Sequence, residues 1–123
     1  EAASTTHAQT VLSEAWKQAL IVLDVTSIGA AVTDTLDVLV DTSPDGGISW
    51  VNIGHFAQVL GTDAAGKQYM SLTPTGGTAD VGFVDLAAGA TRQWSICDRL
   101  RARSAINVGG TALFSYTVRA NLK

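Results

Sequence analysis

The sequence predicts an all-β fold: a two-sheet sandwich or jelly roll of seven to eight antiparallel strands with an extended N-terminal arm. Three observations carry this. Residues 36–53 read as strand, tight turn, strand, with Leu36, Val38 and Val40 alternating with Asp37, Leu39 and Asp41, the period of a half-buried strand. Short apolar segments of this kind recur, separated by Gly61-Thr62-Asp63-Ala64-Ala65-Gly66, Pro74-Thr75-Gly76-Gly77-Thr78 and Val108-Gly109-Gly110-Thr111, which supply breaker and turn chemistry. No segment shows a convincing long run of helical period. Many short strands at this spacing suit a sandwich or jelly roll.

The elements follow in order. Residues 1–18 form the arm: 1–10 are small and polar, and in 11–18 Val11, Leu12, Ala15 and Trp16 sit at helical spacing while a short strand fits as well, the extended form being favoured because the rest of the chain is β. Residues 19–123 form the β domain. Residues 19–27 are a strong strand, apolar on both faces (Ile21, Leu23 and Val25 against Leu20 and Val22), as in a central strand or one covered on both sides. Residues 34–42 and 48–56 pair through the Ser43-Pro44-Asp45-Gly46-Gly47 turn. There proline presets a negative φ, the Asp carboxylate accepts backbone N–H groups and glycine takes positive φ. Residues 67–73 are a short strand, with Tyr69 and Ser71 on one face and Met70 and Leu72 on the other. Residues 81–86 read as another strand, 91–107 as a long, bent one, and Phe114, Tyr116 and Val118 alternate in the last.

A chain of 123 residues is one domain by length, long enough to bury a core without metal or disulfide staples. Its charged fraction, 15%, is below the usual ~25%. Such a surface repels neighbours poorly and suits a body partly covered in an assembly. The net charge of −3 argues against nucleic acid as a partner. No apolar run reaches the ~20 residues of a spanning helix, and no signal peptide is visible, so no membrane role is expected. The lone Cys97 supports neither an internal disulfide nor a cysteine metal quartet.

Catalytic constellations are hard to find. His7 falls in the arm and His55 at a strand end, and neither belongs to a metal motif. Both read as solvated or strand-end imidazoles. Cys97 reads as a small buried filler. Asp24, Asp37, Asp41 and Asp45 fall near strand ends and turns, and no spacing selects a carboxylate pair. Gly76-Gly77-Thr78 lacks the lysine and helix of a phosphate loop. The expectation is a protein that is not an enzyme and holds no cofactor or metal. Ser43-x-Asp45-x-Gly47-x-Ser49-Trp50 matches the Asp-box turn of sialidase-type propellers. The chain is too short for a propeller, so Asp45 is read as closing the turn and Trp50 as packing at the hairpin base. The alternative is a carbohydrate-binding sandwich with Trp50, Trp94 or Tyr69 as sugar platform.

Arg99, Arg101 and Arg103 alternate with Leu100, Ala102 and Ser104. On a strand the three guanidiniums share one face about 7 Å apart. They read either as a solvated face or as donors to carboxylates of a partner subunit. Arg119 extends the row if the last two strands pair through the 108–110 turn.

The segments 35–50 (Thr35-Leu36-Asp37-Val38-Leu39-Val40-Asp41-Thr42-Ser43-Pro44-Asp45-Gly46-Gly47-Ile48-Ser49-Trp50), 109–118 and Leu20 to Thr26 together resemble small tailed-bacteriophage virion proteins of the β-sandwich or jelly-roll decoration (cement, head auxiliary) class. The resemblance covers about half the chain and carries no catalytic residues. It implies a virion location and an assembly role, as a capsid decoration subunit or as a tail or fibre subunit. The implied partners are the major capsid protein or other virion subunits and further copies of this chain, a trimer among the options. The partner-binding candidates are Val11, Leu12, Trp16, Arg99, Arg101 and Arg103.

Overall fold

The computed structural model describes residues 5–6, 10–11, 18–28, 34–72, 85–92, 96–97, 99–107 and 114–122, with side chains from residue 18 onward. Among them are nine strands and no helix: β1 (Thr5–Thr6), β2 (Thr10–Val11), β3 (Ala19–Ile28), β4 (Thr35–Ser43), β5 (Val51–His55), β6 (Val59–Leu60), β7 (Gly66–Leu72), β8 (Arg99–Asn107) and β9 (Phe114–Leu122). They form two antiparallel sheets. The larger has the order β1-β8-β4-β5, with β2 also on β8 and β6 also on β4; the smaller has the order β7-β3-β9.

Alternation decides which side chains meet between the sheets. Ile21, Leu23 and Val25 of β3, Leu36, Val38 and Val40 of β4, Met70 and Leu72 of β7, Leu100 of β8 and Phe114 of β9 join Ile53, Phe56, Val59 and Ile96 in one buried cluster. A single apolar core shared by two antiparallel sheets makes this a β-sandwich. Gly54 permits a close approach across it: a Cβ there would collide with the Met70 sulfur.

β3 is central, paired with β7 from Ala19↔Leu72 to Val25↔Gly66 and with β9 from Ala19↔Leu122 to Ile28↔Phe114. Its inner face is buried, whereas on its outer face Leu20 is 40% exposed and Val22 and Asp24 are half-buried. The 34–42/48–56 hairpin is present as β4 and β5, with a register shift between Val40 and Asp41. The short β6, paired to β4 as Thr35↔Leu60 and Leu36↔Val59, lies in a stretch read from sequence as leading into a loop.

Three sequence expectations are corrected. The strand expected over 91–107 begins only at Arg99; Thr91 instead makes an isolated bridge to Gly54. Asp85 and Leu86, at the end of the strand expected over 81–86, are not strand, and residues 81–84 lie outside the described residues. β8 and β9 do not pair with each other: they belong to opposite sheets, so Arg119 does not extend the arginine row. The described part of the arm runs along β8, with Thr5↔Ser104, Thr6↔Arg103, Thr10↔Leu100 and Val11↔Arg99.

Candidate functional site: an arginine–aspartate network on the outer face

β4 and β8 pair as Leu39↔Arg103, Asp41↔Arg101 and Ser43↔Arg99. Directly paired residues share a face, so the arginine row and Asp41 stand together on the side of the sheet away from the core. Asp41 is nonetheless only 1% exposed. Arg101 donates from Nε to Asp41 Oδ2 at 2.8 Å. Arg103 donates to both carboxylate oxygens, from Nε to Oδ2 and from Nη2 to Oδ1, the forked geometry that only a guanidinium offers. Arg103 Nη2 also reaches Asp85 Oδ1 at 2.8 Å. Two cations therefore face two carboxylates, and the cluster carries no net charge. Hydrogen bonds to Asp41 raise the Arg103 pKa beyond its ordinary value. Arg101 also lies over the Trp50 ring, 4.2 Å from its centroid, where a cation is attracted to the π face.

Asn52 links this cluster to its surroundings. Its side-chain amide donates to Asp41 Oδ1, Val40 O and Gly54 O, and its Oδ1 accepts from the Leu86 N–H. The β4/β5 register slips at this point, and the amide satisfies carbonyls that a regular ladder would serve. Residues 85–92 then run along β5 as a strap. His55 N–H donates to Ala90 O, Gly89 N–H to His55 O and Arg92 N–H to Ile53 O. Asp85 at the start of the strap thereby reaches Arg103.

Of the two readings from sequence, solvated or strand-end imidazole, His55 fits the second: it ends β5 and is not solvated. Its side chain is 12% exposed, with Nδ1 2.7 Å from Leu86 O and Nε2 2.9 Å from Asp37 Oδ1. A carbonyl only accepts, so Nδ1 donates and the ring ties the strap to β4. Asp37 also accepts from Gln58 Nε2. Cys97 is half-buried, and its N–H donates to Thr42 Oγ1, which itself donates to Arg99 O.

The turn behaves as its residues predict. Ser43 Oγ donates to Asp45 Oδ1 and accepts from the Gly47 N–H; Ser49 donates to Asp45 from both N–H and Oγ; Trp50 Nε1 donates to Gly47 O. Gly46 and Gly47 take positive φ. The bonds from the Ser49 hydroxyl and then the Ser49 N–H hold the Asp45 carboxyl below its ordinary pKa. A depressed folded-state pKa stabilises above the unfolded value, and the contribution disappears as pH falls through the folded one. The Ser49 amide should therefore stay protected from exchange at neutral pH and lose protection only below the ordinary aspartate pKa of about 3.9. Proton exchange followed by NMR checks this. Loss of protection between pH 5 and 7 would refute it.

The structure brings Arg101 and Arg103 together on Asp41 of their own chain. Arg99 sits at the end of the row with its Nε buried and unbonded among the described residues. Leu12 and Trp16 lie outside the described residues, as do His7 and Trp94, and the Val11 side chain is not described. Asp41, Asn52, Asp85 and His55 were not singled out as partners of this cluster by sequence. The one available signal was Asp41 facing the arginine row if strands 34–42 and 99–107 were neighbours.

Elsewhere, a cleft of about 380 Å³ opens between β8 and β9, lined by Ile21, Val40, Leu100, Val118 and Ala120 among others. No group of three or more His, Cys, Asp or Glu side chains suited to a metal ion occurs among the described residues. Comparisons with protein-family models, curated proteins and solved structures return no match.

Proposed function

We propose that this protein is a structural virion subunit, a capsid decoration or cement protein that works by contact and not by catalysis. Its partners on this reading are the major capsid protein or other virion subunits and further copies of itself. The observation that carries the reading is where the ionic chemistry sits. Asp41, Arg101, Arg103 and Asp85 converge on one another, and Asp37 converges on His55. Among the described residues the cleft offers Arg101, Tyr116 and Arg119 as its ionisable lining, with no carboxylate or imidazole. Charges paired with one another across the outer face stiffen the sheet, and the weakly charged surface left over suits close packing in an assembly. The resemblance of residues 35–50 and 109–118 to decoration proteins points the same way. A sugar platform at Trp50 is less well supported, because Arg101 already occupies one face of its ring; of the other two candidates, Tyr69 is exposed and Trp94 lies outside the described residues.

Quantitative mass spectrometry of purified particles tests the reading. A fixed number of copies per capsid, retained through density-gradient purification, is the expected result. Finding the chain only in the soluble fraction would overturn it. Recovery with isolated tails would move the protein from head to tail.

A further inference from the structure

We infer that β9 is an open sheet edge that pairs with β9 of a second copy, antiparallel and two-fold symmetric about Ala120. This does not depend on the virion reading; it concerns how copies of the chain meet in solution or on any scaffold.

The first observation is an asymmetry in the smaller sheet. Ile21 pairs with Met70 on one side and with Ala120 on the other, so all three point inward. Met70 is 5% exposed, whereas Ala120 is exposed. Its inward neighbours Val118 and Leu122 are only partly buried against the core. The cleft beside them has buried core residues, Ile21, Val40 and Leu100, in its lining. β7 and β9 are both edges of the smaller sheet, but among the described residues the inward row is closed over along β7 and open along β9.

The second observation is the edge itself. Among the described residues, Thr117–Leu122 pair on one side only, with β3. The larger sheet has both edges covered, by β1 and β2 on β8 and by the strap on β5. An unpaired edge is normally blunted by proline, a bulge or several charges. Residues 117–122 hold no proline and one charge, Arg119, and their register with β3 is regular. What fits such an edge is another extended backbone.

The third observation selects the second copy. Val118-Arg119-Ala120-Asn121-Leu122 is self-complementary about its middle residue. In a two-fold antiparallel pairing, Val118 faces Leu122 of the second copy, Arg119 faces Asn121, and Ala120 faces Ala120. The inner row is then apolar throughout, and Arg119 meets an amide in place of another cation. An isologous contact needs this self-complementarity. The apolar row closes the mouth of both clefts, and the two smaller sheets become one six-stranded sheet.

Sedimentation equilibrium of the full chain over a concentration series tests this, with the variants Ala120→Glu and Ala120→Lys. Like charges directly opposite destabilise a strand pair and opposite charges stabilise it. The native chain should show a monomer–dimer equilibrium, each variant alone should be monomeric, and an equimolar mixture of the two should regain the dimer. A native chain that is monomeric throughout, an oligomer that survives both variants, or a mixture that stays monomeric would each overturn the proposal. If circular dichroism shows that a variant does not fold, hydrogen exchange on the native chain decides. Amides in 117–122 should gain protection as concentration rises while those in 66–72 do not. Concentration-independent exchange at 117–122 would overturn the proposal.

Discussion

Replacing Asp41 with alanine should destabilise the protein by about 3–5 kcal/mol, the range for breaking a buried ion pair from one side. The loss arises less from the vanished attraction than from what stays behind. Arg101 and Arg103 side chains are only 22% and 26% exposed, and without Asp41 their half-buried guanidiniums have just Asp85 and the Trp50 ring among their described partners. Asn52 loses one acceptor as well. Asp41→Asn should cost nearly as much, because it keeps the shape and removes the charge. Urea unfolding at neutral pH measures the effect, with a lower midpoint and an unchanged slope. Raising the salt should move the midpoint little, since buried pairs are poorly screened. A loss under about 1 kcal/mol, the range of exposed pairs, would mean that the network is a surface decoration.

Leu23→Ala should cost about 2–5 kcal/mol, as expected for a fully enclosed leucine. Leu23 has no exposure at all and lies on the central strand, between Gln68 of β7 and Val118 of β9. Val118→Ala, one strand over on the same inward row, should cost well under half as much, because Val118 is only partly buried. Thermal or urea unfolding at low protein concentration, where any pairing through β9 is absent, gives the comparison. Equal losses at the two positions would contradict a core that is closed along β7 and open along β9.

Much of this architecture could be read from residue order. The alternation of Leu36, Val38 and Val40 placed those residues in the core, and the Ser43–Trp50 pattern gave a turn closed by Asp45 with Trp50 at its base. Both are local, set by periodicity and by bonds between residues a few positions apart. The network was not legible for the opposite reason. Asp41 alternates with core residues and so reads as solvent-facing, yet it is buried by Arg101 and Arg103, 60 and 62 residues away. His55 is likewise held by Leu86 across 31 residues. The pairing of the last two strands, on which an extension of the row to Arg119 depended, does not occur because a short connection does not require pairing. Here it joins strands of opposite sheets, and that arrangement leaves the cleft between them.

The central proposal is that this chain, its Asp41, Arg101, Arg103 and Asp85 side chains paired with one another, works by adhering to virion subunits. Co-sedimentation of the purified chain with preformed capsids that lack it tests this most directly. Binding should saturate at a fixed number of copies per capsid and should remain when soluble sugars are added. Protein that stays in the supernatant at every concentration, or that is released by a glycan, would contradict it.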